Sequence, residues 1–476
     1  METRNIFENI SPLDHRYYLA NKQLFQELSK YLSEEASIRY CVKVEAALIK
    51  THILLNKHEN RDLLIKEADL LESEIDPSEV YDEEEKTQHN IRALVNVIKK
   101  HLSDPVKPYV HLGATSVDIL DTASSLKIRD VTHKVVLKLL IEIENILTSL
   151  AETEAETPQV GRTHGQHAVP ITFGFAIAEY VSRLGKSIIK IHEASLELRG
   201  KLAGAVGAYN STSLMVKDPF LMEGQALDFL NLKPSEHSTQ LVEPEYLLRL
   251  LLEMNTAFGI IANLADDLRH LQRTEIAEIK EMFTEEQVGS STMPQKRNPW
   301  NSEHVKSLWK AFSPRVITFY MDQISEHQRD LTNSASSRFV PDYIAGFCAA
   351  LNRMKKVLST LYVDRKKLKF NLTFTGDLVL SEAAYILLSC SGDPDAHEKI
   401  RKITLECEKT GSRLFELLKQ DKEVWDKISK QLDKTTGLNP EDFFTHPELY
   451  RGQAAVKAKK LSEKYRIEMS KIKESI

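Results

Sequence analysis

The chain has 476 residues, with 63 basic against 69 acidic side chains and a formal net charge of −6. That length exceeds one small domain and implies two or three. The mild acidity and dispersed basic residues exclude a global field for nucleic acid. No uninterrupted apolar run reaches membrane-spanning length, because the richest, residues 247–268, contains Arg249, Glu253, Asn255, Asn263, Asp266 and Asp267. The start, Met1-Glu2-Thr3-Arg4-Asn5, lacks an apolar signal region. Cys41, Cys348, Cys390 and Cys407 fit no zinc or redox spacing, which predicts reduced core thiols in a cytoplasmic protein.

Up to about Val110, short helical patterns alternate with acidic linkers. Residues 10–17 form a turn-rich opening. Ile38, Val42, Glu45, Ala46 and Ile49 share one face of a helix expected over residues 33–55. Residues 82–86 are a charge run, read as a solvated helix start, and Gln88-His89-Asn90 follows it. Next, Gly113 marks a turn, and Thr115 or Ser116 caps a helix. That helix is expected to be long, since Ile128, Val131, Val135, Leu139, Ile143, Ile146 and Leu150 recur at three- and four-residue steps. Hydroxyls and free N–H groups at a helix N-terminus suit a carboxylate ligand, and serve an ordinary N-cap equally well.

Residues 161–167 are a further polar island. His164 and His167 stand three apart, but no local acidic or cysteine ligand accompanies them. Proton transfer is therefore favoured over a metal site. Ile177, Val181, Leu184, Ile188 and Ile191 then mark another long helix. Residues 201–231 read as irregular. Ser238-Thr239-Gln240 precedes a helix expected to start near Pro244, along which Leu247, Leu251, Met254, Phe258, Ile261, Ala265, Leu268 and Leu271 keep a seven-residue beat. At about 1.5 Å per residue this helix is roughly 40 Å long and needs packing partners.

Residues 289–299 read Gly-Ser-Ser-Thr-Met-Pro-Gln-Lys-Arg-Asn-Pro, turn chemistry in a chain that otherwise reads as helix. Ser290 and Ser291 can donate or lose a proton, Lys296 is a positive charge, and Asn298 offers amide donors. Such a set suits a small polyanion whose charge grows during reaction; the bland alternative is a solvated connector. Glu303 follows, just ahead of the apolar stripe Val305, Leu308, Phe312, Val316 and Phe319. Arg329 and Arg338 flank hydroxyls that include Ser334, forming either a phosphate cradle or a polar helix cap. A further helix is expected over residues 343–361. With no convincing strand alternation, the expected fold class is all-α. It divides into an N-terminal helical domain (1–110), a central long-helix bundle (111–362) and a C-terminal helical domain (363–476).

The loop meets every fixed position of G-S-x-x-M-x-x-K-x-N-P and resembles the signature loop of the fumarase/aspartase superfamily. Other islands resemble the adenylosuccinate lyase family within it. These are Ser11 to Tyr17 (Ser-Pro-Leu-Asp-x-Arg-Tyr), Thr115 to Thr122 (Thr-Ser-x-Asp-x-x-Asp-Thr), Gly161 to Gly165, Ser238 to Gln240, and the arginine-bracketed run from Arg329 to Arg338. The resemblance covers roughly residues 10–345, with a weaker echo at residues 446–452. His15 and residues 241–244 depart from the pattern and bear on substrate contacts. Carboxymuconate cycloisomerase relatives share parts of the pattern but typically lack a histidine at position 164. Argininosuccinate lyases share Met-Pro-Gln-Lys without the N-terminal motif.

The resemblance implies a three-domain fold with a tetrameric helical core, and a homotetramer whose active sites are shared between subunits. It implies no metal and no cofactor. The reaction implied is β-elimination of fumarate from adenylosuccinate, giving AMP, and from the succinylated aminoimidazole carboxamide ribotide, giving AICAR. Ser290 is then the general base and His164 the general acid, oriented by Glu303. Lys296, Asn298, Thr115, Ser116 and Gln240 gather the developing charge. His89 and His111 contact substrate or assist His164. Arg16, Tyr17, Arg329, Ser334 and Arg338 hold the nucleotide and its phosphate, and Gln88, Asn90, Ser291 and Met293 complete the substrate surface. The alternatives are another fumarate-releasing lyase, a cycloisomerase-like enzyme, or a helical scaffold on a retired lyase fold. Intact Ser290, His164, Lys296 and Glu303 argue against the scaffold.

Overall fold

The computed structural model describes residues 4–56, 58–282 and 292–476. Helices dominate them, as the apolar periodicity predicts. Helix α1 (Glu34–Leu55) begins where Ser33 Oγ accepts the Ala36 N–H at 3.1 Å. It packs with α2 (Asn90–Lys100) over a core that includes Val42, Ala46, Ile49, Leu94 and Ile98. The charge run at residues 82–86 is not a helix start. It is the second half of a helix, Pro77–Thr87, begun by Asp76 accepting the Ser78 N–H at 2.9 Å and by Pro77 in the first turn.

Helix α3 (Ser116–Val131) runs through a π-helical turn (Thr132–Val136) into α4 (Leu137–Thr153). The expected stripe is its inner face: Ile128, Val131, Val135, Leu139 and Ile143 are buried. The chain then forms a hairpin that strand alternation had not signalled, β1 (Pro158–Thr163) with β2 (Gln166–Thr172). His164 and Gly165 make its turn with φ of 53° and 75°, the positive values a two-residue hairpin loop requires. The strands are short, and the register slips between Val160 and Arg162, so their alternation is weak in sequence.

Helix α5 (Phe173–Leu196) leaves the hairpin, capped by Thr172 Oγ1 on the Phe175 N–H at 3.1 Å. Residues 201–231, expected to be irregular, contain a helix, Pro219–Asp228. Helix α6 (Glu245–Leu271) carries the seven-residue stripe, with Leu251, Met254, Phe258, Ile261, Ala265 and Leu268 all buried. Leu250, Ala257 and Leu264 are buried too, so α6 sits inside the bundle, where its apolar length is spent on packing. Helices α7 (Trp300–Phe312), α8 (Val340–Ser359) and α9 (Ala454–Ser475) complete the bundle core with α4 and α5.

Three apolar cores result, and they cross the divisions expected at residues 110 and 363. Leu13 and Leu28 join the bundle, while Leu202, Met222 and Leu227 join the N-terminal core. A third core spans residues 372–444 and takes in Val160 of β1. After it, α9 returns to lie on α4 and α5, and Tyr465, Met469 and Ile472 enter the bundle. Of the cysteines, Cys41, Cys348 and Cys407 are buried as expected, but Cys390 is exposed near a helix end.

The return of α9 depends on a close approach. A Cβ at Gly185 of α5 would lie 2.2 Å from the Tyr465 ring, and Tyr465 is buried. Gly185→Ala should therefore force α9 outward and lower stability by about 1–3 kcal/mol, read as a lower midpoint in thermal or chaotrope unfolding.

Candidate active site

The Thr115 island is held from beneath by carboxylates. Asp118, fully buried, accepts the Thr115 N–H at 2.8 Å and the Ala203 and Gly204 N–H groups at 3.2 Å each, and it pairs with the buried Lys201 ammonium. This ties the start of α3 to residues 201–204 and leaves Thr115 as the N-cap, with Ser116 in the first turn. Just before it, His111 takes φ +59°. Glu45 of α1 holds it there by accepting the His111 N–H at 3.0 Å and meeting Nδ1 at 2.7 Å. Burial alone would lower the His111 pKa, but the hydrogen bond and charge of Glu45 outweigh it, so the net shift is upward. His89 caps α2 by accepting the Arg92 N–H at 3.2 Å, following Gln88 in the left-handed region. Asn90 opens that helix, and Arg92 lies within electrostatic reach of His111.

Two more predicted residues gather at this end. Arg329 Nη1 donates to Gln240 Oε1 at 3.3 Å, and the Gln240 N–H donates to the Gln328 carbonyl at 3.3 Å. Asp121, on α3, accepts the Val242 N–H at 2.9 Å, so the departure at residues 241–244 is fastened to the Thr115 helix. Burial raises Asp121 to about 6 against the opposing Val242 N–H, Lys201 and Arg329. A pocket of about 150 Å³ opens here, lined by Asp121, Leu241, Val242, Asn333 and Ser337 among others. Ser334 and Arg338 are exposed on the neighbouring turn, which Ser336 anchors by donating to Asp322 at 2.6 Å.

A second group surrounds the start of α7. Tyr17 Oη and His304 Nε2 are 3.1 Å apart, which brings Arg16 and Tyr17 to the helix that carries Glu303. Lys296 and Glu303 are exposed, Met293 is exposed, and Asn298 is half-buried. Ser290 and Ser291 lie outside the described residues.

His164 stands apart from both groups, exposed at the hairpin tip. The hairpin's base is fixed by the fully buried Glu278, which takes Arg162 in a bidentate pair (3.2 and 2.5 Å), Gln159 at 2.8 Å and Asn371 at 2.9 Å. A cleft of about 1050 Å³ opens beside that base, bounded by Arg162, His167, Arg183, Arg273 and Lys367. It reaches His167 but not His164, Thr115 or Lys296, so it does not unite the predicted set.

These groups therefore stand apart in the single chain. Thr115 and His164 lie beyond opposite ends of the α3–α4 helix, residues 116–153, which at about 1.5 Å per residue is on the order of 50 Å long.

Comparison with known proteins gives the family. A lyase family model covers residues 15–311, and an adenylosuccinate lyase C-terminal model covers residues 325–443. The adenylosuccinate lyase of Pyrococcus abyssi is 32% identical over 440 residues, spanning 91% of this chain and 94% of that protein. The chain belongs to the adenylosuccinate lyase family. The adenylosuccinate lyase of Archaeoglobus fulgidus is likewise 32% identical, over 448 residues, 91% of this chain and 95% of that one. The solved 3-carboxy-cis,cis-muconate lactonizing enzyme from Pseudomonas putida superposes with a TM-score of 0.78 over 94% of this chain and 99% of that one. At 23% identity that likeness speaks for the fold alone.

Membership in an adenylosuccinate lyase family directs attention to the groups behind the motifs. Sequence reading placed Glu45 only as part of a helix face, and it assigned no role to Lys201, Glu278 or Glu281. Asp118 and Asp121 stood inside a quoted motif and could have been singled out as carboxylates one turn apart on α3. Lys201 carried no signal, since its partner is 83 positions away.

Two outcomes are expected. Because His111 titrates above the usual histidine value when folded, its pairing with Glu45 stabilises fully below about pH 6.5 and fades as pH rises through the raised value. Glu45→Gln should lower the His111 pKa, followed by NMR of the imidazole. Asp121 has the same sign in a lower window, because its folded pKa is raised too. Ionising it in the folded chain costs stability, and its contribution declines as pH rises from about 4 to about 6. Asp121→Asn should remove that decline from the pH dependence of unfolding while keeping an acceptor for Val242.

Proposed function

We propose that this chain eliminates fumarate from adenylosuccinate, giving AMP, and from the succinylated aminoimidazole carboxamide ribotide, giving AICAR. What carries the activity is a family match over nine-tenths of the length in a chain that keeps His164, Lys296 and Glu303. The substrate is then a nucleotide, and the pathway purine biosynthesis.

The chemistry makes definite demands. Removing a proton beside a carboxylate loads charge on a group already negative, so the intermediate is an aci-carboxylate. Preorganised donors aimed at that charge supply the largest catalytic term. Lys296, Asn298 and Gln240, with Thr115 and Ser116 at the α3 N-terminus, fill this role. Ser290 removes the proton as general base. The C–N bond then breaks, and His164 protonates the departing nitrogen as general acid. Glu303 orients His164 and favours its charged form. His89 and His111 line the substrate surface, with Gln88, Asn90, Ser291 and Met293. Arg329, Ser334 and Arg338, joined by Arg16 and Tyr17, take the phosphate and ribose.

The length of the α3–α4 helix supports an assembly of several chains. His164 and Thr115 on one chain are too far apart to touch one small substrate, so the site combines islands from different subunits, as a homotetramer of the long-helix bundle allows. The protein works in the cytoplasm on this reading.

Fumarate release from adenylosuccinate by the purified chain, abolished by Ser290→Ala, tests the reaction; a silent wild type that is folded and associated overturns it. Mixing inactive Ser290→Ala with inactive His164→Ala tests the sharing. Activity should reappear after subunit exchange, because some mixed sites then hold both native groups. Confirmed exchange without recovery overturns shared sites.

A further inference from the structure

Helix α6 ends at Leu271, and the next residue, Gln272, does more than cap it. Its Oε1 accepts the Glu281 N–H at 2.7 Å. Its Nε2 donates to the Arg297 carbonyl at 3.2 Å. One side-chain amide thus holds the chain where it departs after Glu281 and where it returns at Arg297.

Glu281 grips the same junction from inside. It is 5% exposed. Its carboxylate accepts the Asn301 N–H at 3.3 Å, Asn301 Nδ2 at 3.1 Å, the Ser302 N–H at 2.9 Å and Ser302 Oγ at 2.5 Å. These are donors of the first turn of α7, where a carboxylate also complements the helix dipole. Asn301 is held from its other side by Arg353 Nη1 at 2.8 Å, and the Arg353 guanidinium lies over Trp300 at 5.2 Å.

We infer that Gln272 and Glu281 are positioning residues that set the place of Lys296, Asn298 and Glu303 for the elimination, an inference that rests on the function proposed above. Lys296 and Asn298 flank Arg297 directly, and Glu303 follows Ser302. Both fastenings therefore act within one residue of a group that must meet the developing charge or the general acid. Gln272 fixes the returning segment laterally, and Glu281 fixes the axial height and rotation of α7. Misplacement by about an ångström is enough to cost on the order of 100-fold in rate.

The test uses the full chain as Gln272→Ala, Glu281→Gln and Glu281→Asp, each compared with wild type by fumarate release, unfolding midpoint, oligomeric size and hydrogen–deuterium exchange over residues 292–304. Gln272→Ala should lose about 10- to 100-fold in kcat with KM within about threefold. The exchange of residues 292–304 should quicken while size is kept. Glu281→Gln presents an amide N–H₂ to groups that are themselves donors, so it should fall further. Glu281→Asp keeps the charge and should recover part of the loss. Unchanged kcat in Gln272→Ala, unchanged exchange over residues 292–304, or no advantage of Glu281→Asp over Glu281→Gln overturns the inference. A wild type that releases no fumarate overturns the proposed function instead, and the exchange comparison still decides whether these two residues hold the segment.

Discussion

The α3–α4 helix is too long and too apolar to exist alone, and it fixes where everything else can be. Burying its stripe of Ile128, Val131, Val135, Leu139 and Ile143 requires neighbours, which α5, α8 and α9 supply. Once those helices are parallel or antiparallel to it, the polar islands can emerge only at bundle ends or from breaks between helices. The Thr115 island and the hairpin thereby take opposite ends. The π-helical turn at Thr132–Val136 falls between the two halves, where Thr132 Oγ1 donates to the Ile128 carbonyl at 2.6 Å. That extra residue per turn shifts the phase between the first part of α3, where Ile119, Ala123 and Leu126 enter the N-terminal core, and α4, which faces the bundle.

Several islands are anchored by a buried carboxylate. Glu45 holds His111, Asp118 holds Thr115 and the 201–204 segment, Glu278 holds Arg162, and Glu281 holds the start of α7. Such groups would be costly if unpaired, with removal of one partner of a buried pair costing about 3–5 kcal/mol. They are satisfied here by several donors apiece, many from the backbone. The benefit is positional. An exposed loop can then present reactive side chains from fixed stems, since the charge beneath it admits one arrangement of donors.

How much of this was legible in the sequence follows from the range of the interactions involved. Starts of α1 and α6 were expected within one or two residues, because Ser33, Pro244 and the apolar beat are local signals. The motif islands were legible as departures from helix chemistry, and the resemblance of their spacing to a known family carried their roles. The hairpin was not, since its strands are short and its turn places a histidine rather than the commoner Asn or Gly at the first positive φ. The destination of α9 was not legible either. Gly185 and Tyr465 are separated by most of the bundle and the entire third core. Nothing local distinguishes Glu281 from Glu275, although only Glu281 meets the α7 N-terminus. Cys390 looked like its three buried counterparts, because the helix that bears it is apolar on average and the cysteine ends it.

The exposure of the groups proposed to react bears on the proposed sharing of sites. In the single chain His164, Lys296, Glu303 and Arg338 are all exposed. A carbanion beside a carboxylate survives only where water is excluded and donors are fixed, which an exposed hairpin tip or loop stem does not offer by itself. The scaffold behind each group is nevertheless rigid and internally satisfied. Rigid stems with open faces suit surfaces that become a site when another chain closes over them. Association then does two things at once. On the proposed reading it would dry these groups and would bring His164 across the span of the α3–α4 helix. Activity and assembly are on this reading a single property, and a change that weakens the bundle interface would act on catalysis without touching any residue of the site.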